Sequence, residues 1–442
     1  MADIHIANLD GVLLPGGNWL RDAHIIISGT RLRSIDTRAP EPSESATTLD
    51  GRGCIAVPGL YNAHCHAAMT LVRGWAEDLP FDRWLNEKIW IAESALTEED
   101  VYWGAALAAC EMVRAGVVGF ADHYFWMNQV ARVVEESGLR ALLAWCHFGL
   151  GPEREVGGTS LDDLADFARR WHGAANGRVR VAMGPHSPYM CPPAMLRRLV
   201  DLAQDLGIGM HLHLAESAQQ VRVSLDKHGR SPVAHVEAQG VFDVPCLAAH
   251  CIAVDDADVA ILARRGVSVA HTPKTYMKLA MGTTPVMRLL DAGVRLALGS
   301  DGPGSNSDLN LLEILRLVGL QQKHLAGDAS CLPVQQILNM ASAAGAAALG
   351  FEGAVGLSLG APADLVLVET RGPHWYPRHD LLAGLVYTSH PSDVRDVIVD
   401  GRILMRDRQL LTLDEDRIRH EAERRAFRMV GTDMARVREY QG

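Results

Sequence analysis

Tyr61-Asn62-Ala63-His64-Cys65-His66-Ala67 follows a short apolar run, Cys54-Ile55-Ala56-Val57, and the breaker pair Pro58-Gly59. In an extended segment residues i and i+2 face the same side, so His64 and His66 present two imidazoles together at a strand end. Neutral imidazole is a common ligand for zinc and similar ions. A lone His-x-His is weak, because most such pairs are ordinary polar residues. This pair has company. His211-Leu212-His213-Leu214-Ala215-Glu216, His250 and Gly299-Ser300-Asp301-Gly302 each follow an apolar, strand-like run. Several strand ends supplying one site is how a barrel enzyme builds its active centre.

Working outward, strand and helix patterns alternate from Cys54 to about residue 345. The candidate strands are 54–57, 118–121, 141–144, 179–183, 209–212, 246–249, 267–270 and 294–298. Helical stretches fall between them: Glu98–Ala115 behind a Thr97 cap, Ala194–Leu206, Asp256–Arg265, and Leu309–Gln322 behind Asp308. Eight β/α units predict an α/β fold, a (β/α)8 TIM-type barrel, over residues 54–360. Short strand-like runs flank it on both sides, such as Ala23-His24-Ile25-Ile26-Ile27 and Val394-Arg395-Asp396-Val397-Ile398-Val399. They predict a small β-sandwich domain built from residues 1–53 and 361–411. Residues 412–442 read as a charged C-terminal helical segment with no chemistry attached.

Composition narrows the function. Of 442 residues, 48% are hydrophobic, enough for a large core. Acidic residues outnumber basic ones, 53 to 42, for a formal charge of −11, and no Lys/Arg run makes the patch that a nucleic-acid partner requires. No apolar run reaches the length of a membrane span. The start, Met1-Ala2-Asp3-Ile4-His5-Ile6, lacks the basic and apolar regions of a signal peptide. Eight scattered cysteines, none in a Cys-x-x-Cys pair, fit reduced thiols. The expectation is a cytoplasmic enzyme acting on a small-molecule substrate, with no nucleic-acid or membrane partner.

In such a barrel His64 and His66 end the first strand, His213 the fifth, His250 the sixth and Asp301 the eighth. Three imidazoles and a carboxylate would hold one divalent metal ion per subunit and leave a position for water. A cation so held can lower the pKa of water from 15.7 to about 7. Zinc is the first expectation, and iron also tolerates this ligand set. His211 shares the face of His213 but lies one layer deeper, as a core or supporting residue. Glu216, where the strand gives way to a loop, is placed to deliver a proton to a ring nitrogen. A second metal usually needs a bridging lysine at the end of strand 4, and no lysine occurs between Arg178 and His213.

The chain resembles the amidohydrolase superfamily and, within it, the methylthioadenosine/S-adenosylhomocysteine deaminase branch. The similarity is densest in Pro58–Gly74, Gly184-Pro185-His186-Ser187-Pro188-Tyr189, His213–Glu216, Ala249-His250-Cys251 and Gly299–Asn306. It implies that His64, His66, His213 and Asp301 bind the metal. It also implies that Glu216 protonates the purine, that His250 hydrogen-bonds the attacking water, and that Asp301 relays its proton. Glu93 would hold ribose hydroxyls, with His186 and Trp84 contacting the nucleoside; Trp145 suits an apolar 5′ group. Subunit pairing is common among relatives, so a homo-oligomer is expected.

Two departures shape the substrate expectation. Where homocysteine-accepting members carry arginines, this chain reads Ala144-Trp145-Cys146-His147 and Gly158-Thr159-Ser160-Leu161, with only Arg154 in the same loop. A neutral 5′ group follows: methylthioadenosine, 5′-deoxyadenosine or adenosine. The run Thr272–Leu279 replaces a common Asn-Pro-x-Ser-Asn, and Lys274 and Tyr276 are expected near the pocket. The alternative reading is deamination of a free aminated heterocycle of guanine, pterin or s-triazine type.

Overall fold

The computed structural model describes residues 3–39, 46–149, 151, 159–351, 353 and 356–431. Arg154 and the chain beyond residue 431 lie outside them.

The first strands are β1 (Ile4–Leu13), β2 (Trp19–Ser28), β3 (Arg31–Asp36), β4 (Thr47–Asp50) and β5 (Cys54–Pro58). The barrel follows as β6 (Leu60–Cys65), β7 (Val117–Tyr124), β8 (Arg140–His147), β9 (Val179–Pro185), β10 (Gly209–Leu214), β11 (Cys246–His250), β12 (Ser268–His271) and β13 (Arg295–Leu298). These eight form one sheet in sequence order. Each neighbouring pair is parallel. Such a sheet is covered by helices on its outer face, which is why its strands read as nearly unbroken apolar runs. β14 (Leu365–Glu369), β15 (Val394–Val399), β16 (Arg402–Arg406) and β17 (Gln409–Leu410) join β1–β5 in a second, mixed nine-stranded sheet. That sheet has its own core, with Ile6, Leu9, Ile25, Leu365 and Ile398 buried together.

One expected strand belongs elsewhere. Cys54–Pro58 pairs with β14, Val57 opposite Val366, and with β1, Ile55 opposite Gly11. The first barrel strand is Leu60–Cys65. Gly59 makes the passage between the two sheets, because a Cβ there would lie 2.3 Å from Val118 Cγ1. Periodicity alone does not distinguish two consecutive apolar strands from one.

The first and last barrel strands are tied by polar side chains. Asn62 Nδ2 donates to Ser300 Oγ at 2.7 Å, and the Ser300 amide returns a bond to Asn62 Oδ1 at 2.9 Å. The Asp301 amide donates to the His64 carbonyl at 2.9 Å. Gly299 allows this approach, since a Cβ would sit 2.9 Å from the His64 backbone. At the opposite end Arg140 holds Asp364 at 2.7 Å and Asp400 at 3.0 Å, while the Tyr61 hydroxyl donates to Asp364 at 2.7 Å. This buried network joins the barrel to the terminal sheet.

The helix Glu98–Arg114 starts at a Thr97/Asp100 capping box, as its sequence predicts. The later helix is Leu311–Ala326 and is capped by Asn310 rather than Asp308. Asp308 instead accepts a bond from Lys274 at 2.7 Å. In the C-terminal segment the helix Glu415–Met429 is described, and its Arg425 and Arg428 reach the buried Asp100.

Candidate active site

The carboxyl ends of the barrel strands open into a cleft. Its lining includes His66, Trp84, Glu93, His186, His213, Glu216, His250 and Asp301, so residues spread over more than 200 positions meet in one place. His64 lies immediately behind, fully buried, its ring 4.8 Å from that of His66 and 5.0 Å from that of His213.

The outward nitrogens of the histidines are occupied. His66 Nδ1 donates to the His123 carbonyl at 2.7 Å, and His213 Nδ1 to the His186 carbonyl at 2.9 Å. His64 Nδ1 pairs with His211 Nε2 at 2.9 Å, which gives His211 the supporting place its depth suggested. Such bonds fix the tautomer and turn each Nε2 lone pair inward. There His213 Nε2 and His66 Nε2 stand 3.3 Å apart, with Asp301 Oδ1 3.3 Å from His66 Nε2 and 3.7 Å from His64 Nε2.

His64 Nε2 is buried without a hydrogen-bond partner. A convergent set of lone pairs with one orphaned at its centre fits a divalent cation. His64, His66 and Asp301 offer atoms within 4.8 Å of one another, as do His64, His213 and His250, and His66, His123 and His213.

Electrostatics agree with this fit. Burial, then the neighbouring imidazoles, push His64 and His213 well below the ordinary histidine value, so both are neutral and able to bind. Burial also opposes charge on His66, but the Asp301 carboxylate outweighs it and holds His66 at about 9. Burial pushes Asp301 up, yet His66 and His250 carry it below its usual value. Proton and cation therefore compete for the His66 lone pair.

Strand ends set the remaining groups. Ala215, His250 and Asp301 adopt φ of 49°, 79° and 67°. Left-handed backbone at non-glycine residues costs about 1–3 kcal/mol each and collects at functional sites. It turns Glu216 into the cleft just before the helix Ala218–His228, where Gln220 accepts from its amide at 2.9 Å. Burial, together with Asp301, raises the Glu216 carboxyl against the lowering influence of His250, whose Nε2 is 3.6 Å away.

Glu93 ends a helical cover made of Phe81–Trp84, a π-helical turn Leu85–Ile89 and Trp90–Glu93. It is buried and accepts from the Tyr124 hydroxyl at 2.6 Å. Trp84 stacks on Phe81 and donates to the Gly304 carbonyl at 3.3 Å. His186 stacks on Phe148 at 4.8 Å, and burial lowers it to about 3.

Trp145 is not brought to the cleft. It packs edge-on against Phe167 on the outer side of β8, and its neighbour Cys146 lines the cleft. Strand alternation decides this, since residues 145 and 146 face opposite ways. Lys274 is also elsewhere, bound to Asp308 and Glu313, and Tyr276 sits behind His250; Thr275 lines the cleft instead. Sequence reasoning missed Tyr124, Phe148 and Ser305. Tyr124 had a usable signal: β7 runs three residues past the predicted end, so the polar triplet Asp122-His123-Tyr124 is itself a strand end.

A parallel barrel with this imidazole and carboxylate set at its strand ends defines a metal-dependent hydrolase, and the chain belongs to the amidohydrolase family, whose description matches residues 55–404. Within that family it is an aminohydrolase of the deaminase branch. It is 47% identical over 383 residues to a 5-methylthioadenosine/S-adenosylhomocysteine deaminase of Dictyoglomus thermophilum, spanning 86% of this chain and 89% of the relative. It is 43% identical to a protein of the same name from Pelotomaculum thermopropionicum, spanning 98% and 100%. Among solved structures, an adenosine deaminase from Xanthomonas campestris with bound zinc superimposes with a TM-score of 0.90, at 31% identity and 98% and 99% coverage.

Proposed function

We propose that this enzyme hydrolytically deaminates an adenosine-type nucleoside with a neutral 5′ group, methylthioadenosine before 5′-deoxyadenosine and adenosine. The products are ammonia and the inosine analogue. The observation that carries the reading is Glu93, a buried carboxylate among Phe81, Trp84, Leu85, Ile89 and Trp90. A free base gives such a group nothing to bind, whereas a ribose diol satisfies it. Among the described residues no lysine or arginine lines the cleft, which favours a 5′ group without a carboxylate.

His64, His66, His213 and Asp301 would hold the cation, zinc for preference, since three of the four donors are imidazoles. When bound, the cation makes water acidic enough to act as nucleophile at neutral pH. Glu216, whose carboxyl burial pushes up, is placed to deliver a proton to the purine N1. Asp301, ionised, accepts a proton from the attacking water and passes it to the leaving amine. His186 and Trp84 wall the nucleoside, and the cover segment excludes bulk water.

The cysteines described are free, and seven of the eight are buried, which supports a reducing, cytoplasmic setting. No helix among the described residues is long and apolar enough to cross a membrane.

Ammonia release from methylthioadenosine, S-adenosylhomocysteine, adenosine, 5′-deoxyadenosine, guanine and isoxanthopterin tests the proposal. The expected order of kcat/KM puts methylthioadenosine first and leaves both free heterocycles inactive. Preference for guanine or isoxanthopterin would overturn it.

A further inference from the structure

The run Thr272–Leu279 departs from the family pattern, and its Tyr276 does not line the cleft. Tyr276 is 1% exposed, and its hydroxyl lies 3.3 Å from His250 Nδ1. Thr272 Oγ1 is also 3.3 Å from that nitrogen. What this arrangement does follows from counting donors and acceptors.

The Tyr276 oxygen accepts the Thr272 amide proton at 3.1 Å. Thr284 Oγ1 lies 3.5 Å from the same oxygen, but it spends its one proton on the His250 carbonyl at 2.7 Å. The phenol proton therefore has two destinations, Thr284 Oγ1 at 3.5 Å or His250 Nδ1 at 3.3 Å. Both contacts are longer than the usual range, and His250 Nδ1, the nearer and the more basic atom, is the better acceptor. Burial also pushes the phenol well above its ordinary value, so the proton stays on Tyr276 until donated. With its Nδ1 lone pair engaged, His250 carries its own proton on Nε2. That nitrogen points into the cleft, 3.6 Å from a Glu216 oxygen.

We propose that Tyr276, aided by Thr272 and Thr284, is a positioning residue that fixes His250 in the Nε2-protonated tautomer. His250 then acts as a hydrogen-bond donor to the reacting centre and is withheld from the cation. This matters because His250 forms one of the three possible ligand groups, with His64 and His213. A ligand must present a lone pair, and the Tyr276 hydroxyl denies it one. The tyrosine thus selects which histidines hold the metal and which one addresses the substrate.

The turnover part of the test rests on the deaminase reading, whereas the spectroscopic part does not. The zinc-loaded enzyme is labelled with 15N-histidine, and the His250 ring is identified by its loss in His250→Asn. The expected spectrum has Nδ1 unprotonated and Nε2 bearing hydrogen. Tyr276→Phe should mix or reverse that tautomer and lower kcat roughly tenfold, the worth of one hydrogen bond. Its KM should change less than about twofold, with zinc content intact. A wild-type spectrum with hydrogen on Nδ1 overturns the proposal, as does loss of zinc from His250→Asn or an unchanged kcat in Tyr276→Phe. Should Tyr276→Phe not fold, the wild-type spectrum decides. Failure of all nucleosides to react would strike the proposed function and leave that spectrum standing.

Discussion

Replacing Glu93 by glutamine separates a nucleoside site from a free-base site. The side chain keeps its shape and one carbonyl oxygen for the Tyr124 hydroxyl, now 2.6 Å from the carboxylate, but loses its charge. A hydrogen bond to a charged group contributes about 1.5–3 kcal/mol, so kcat/KM for methylthioadenosine should fall roughly 10- to 150-fold. Any residual turnover of adenine, which has no ribose, should change less than about threefold. Burial also raises the Glu93 carboxyl from 4.5 to about 7, against the lowering pull of Tyr124 and His66. Below pH 4.5 the group is protonated folded or unfolded and costs nothing. Between 4.5 and about 7 only the unfolded chain ionises freely, so stability falls as pH rises, and the full cost stands above 7. At about 1.4 kcal/mol per tenfold it amounts to roughly 3 kcal/mol. Glu93→Gln should therefore gain more stability at pH 8 than at pH 5.5, read by urea unfolding of the metal-loaded protein. Equal loss of activity on nucleoside and base would refute the ribose role, and an equal stability change at both pH values would refute the burial argument.

Other consequences are as direct. Glu216→Gln should lower kcat by about 10²–10⁴-fold with metal content unchanged, checked by ammonia release and elemental analysis. Trp145→Phe should leave kcat and KM for methylthioadenosine within about twofold, because the indole packs on Phe167 outside the cleft. Asp364→Asn leaves Arg140 buried and short of its main partner, and should cost about 3–5 kcal/mol in denaturant unfolding while sparing KM.

The barrel was legible because parallel strands buried on both faces write continuous apolar runs, and seven of the eight predicted strands lie in the barrel sheet. The eighth was misplaced, since Cys54–Pro58 and Leu60–Cys65 are both apolar and only their partners tell them apart. The proposed metal ligands stood out for a related reason. His64, His66, His213 and Asp301 each sit at the polar end of an apolar run, a pattern that survives without coordinates. Trp145 was misread because one residue of register moves a side chain from the cleft to the outer face.

The sequence by itself determined the architecture and singled out the proposed ligands and the proposed proton donor Glu216, since these readings depend on residue type and local period. Only the tertiary structure decided which groups serve those residues. Tyr124 against Glu93, His211 against His64 and Tyr276 against His250 are contacts across 31, 147 and 26 positions. No local pattern encodes such pairings, because packing of the barrel and of the helices over its mouth, and not the chain's local geometry, brings those side chains within hydrogen-bond reach.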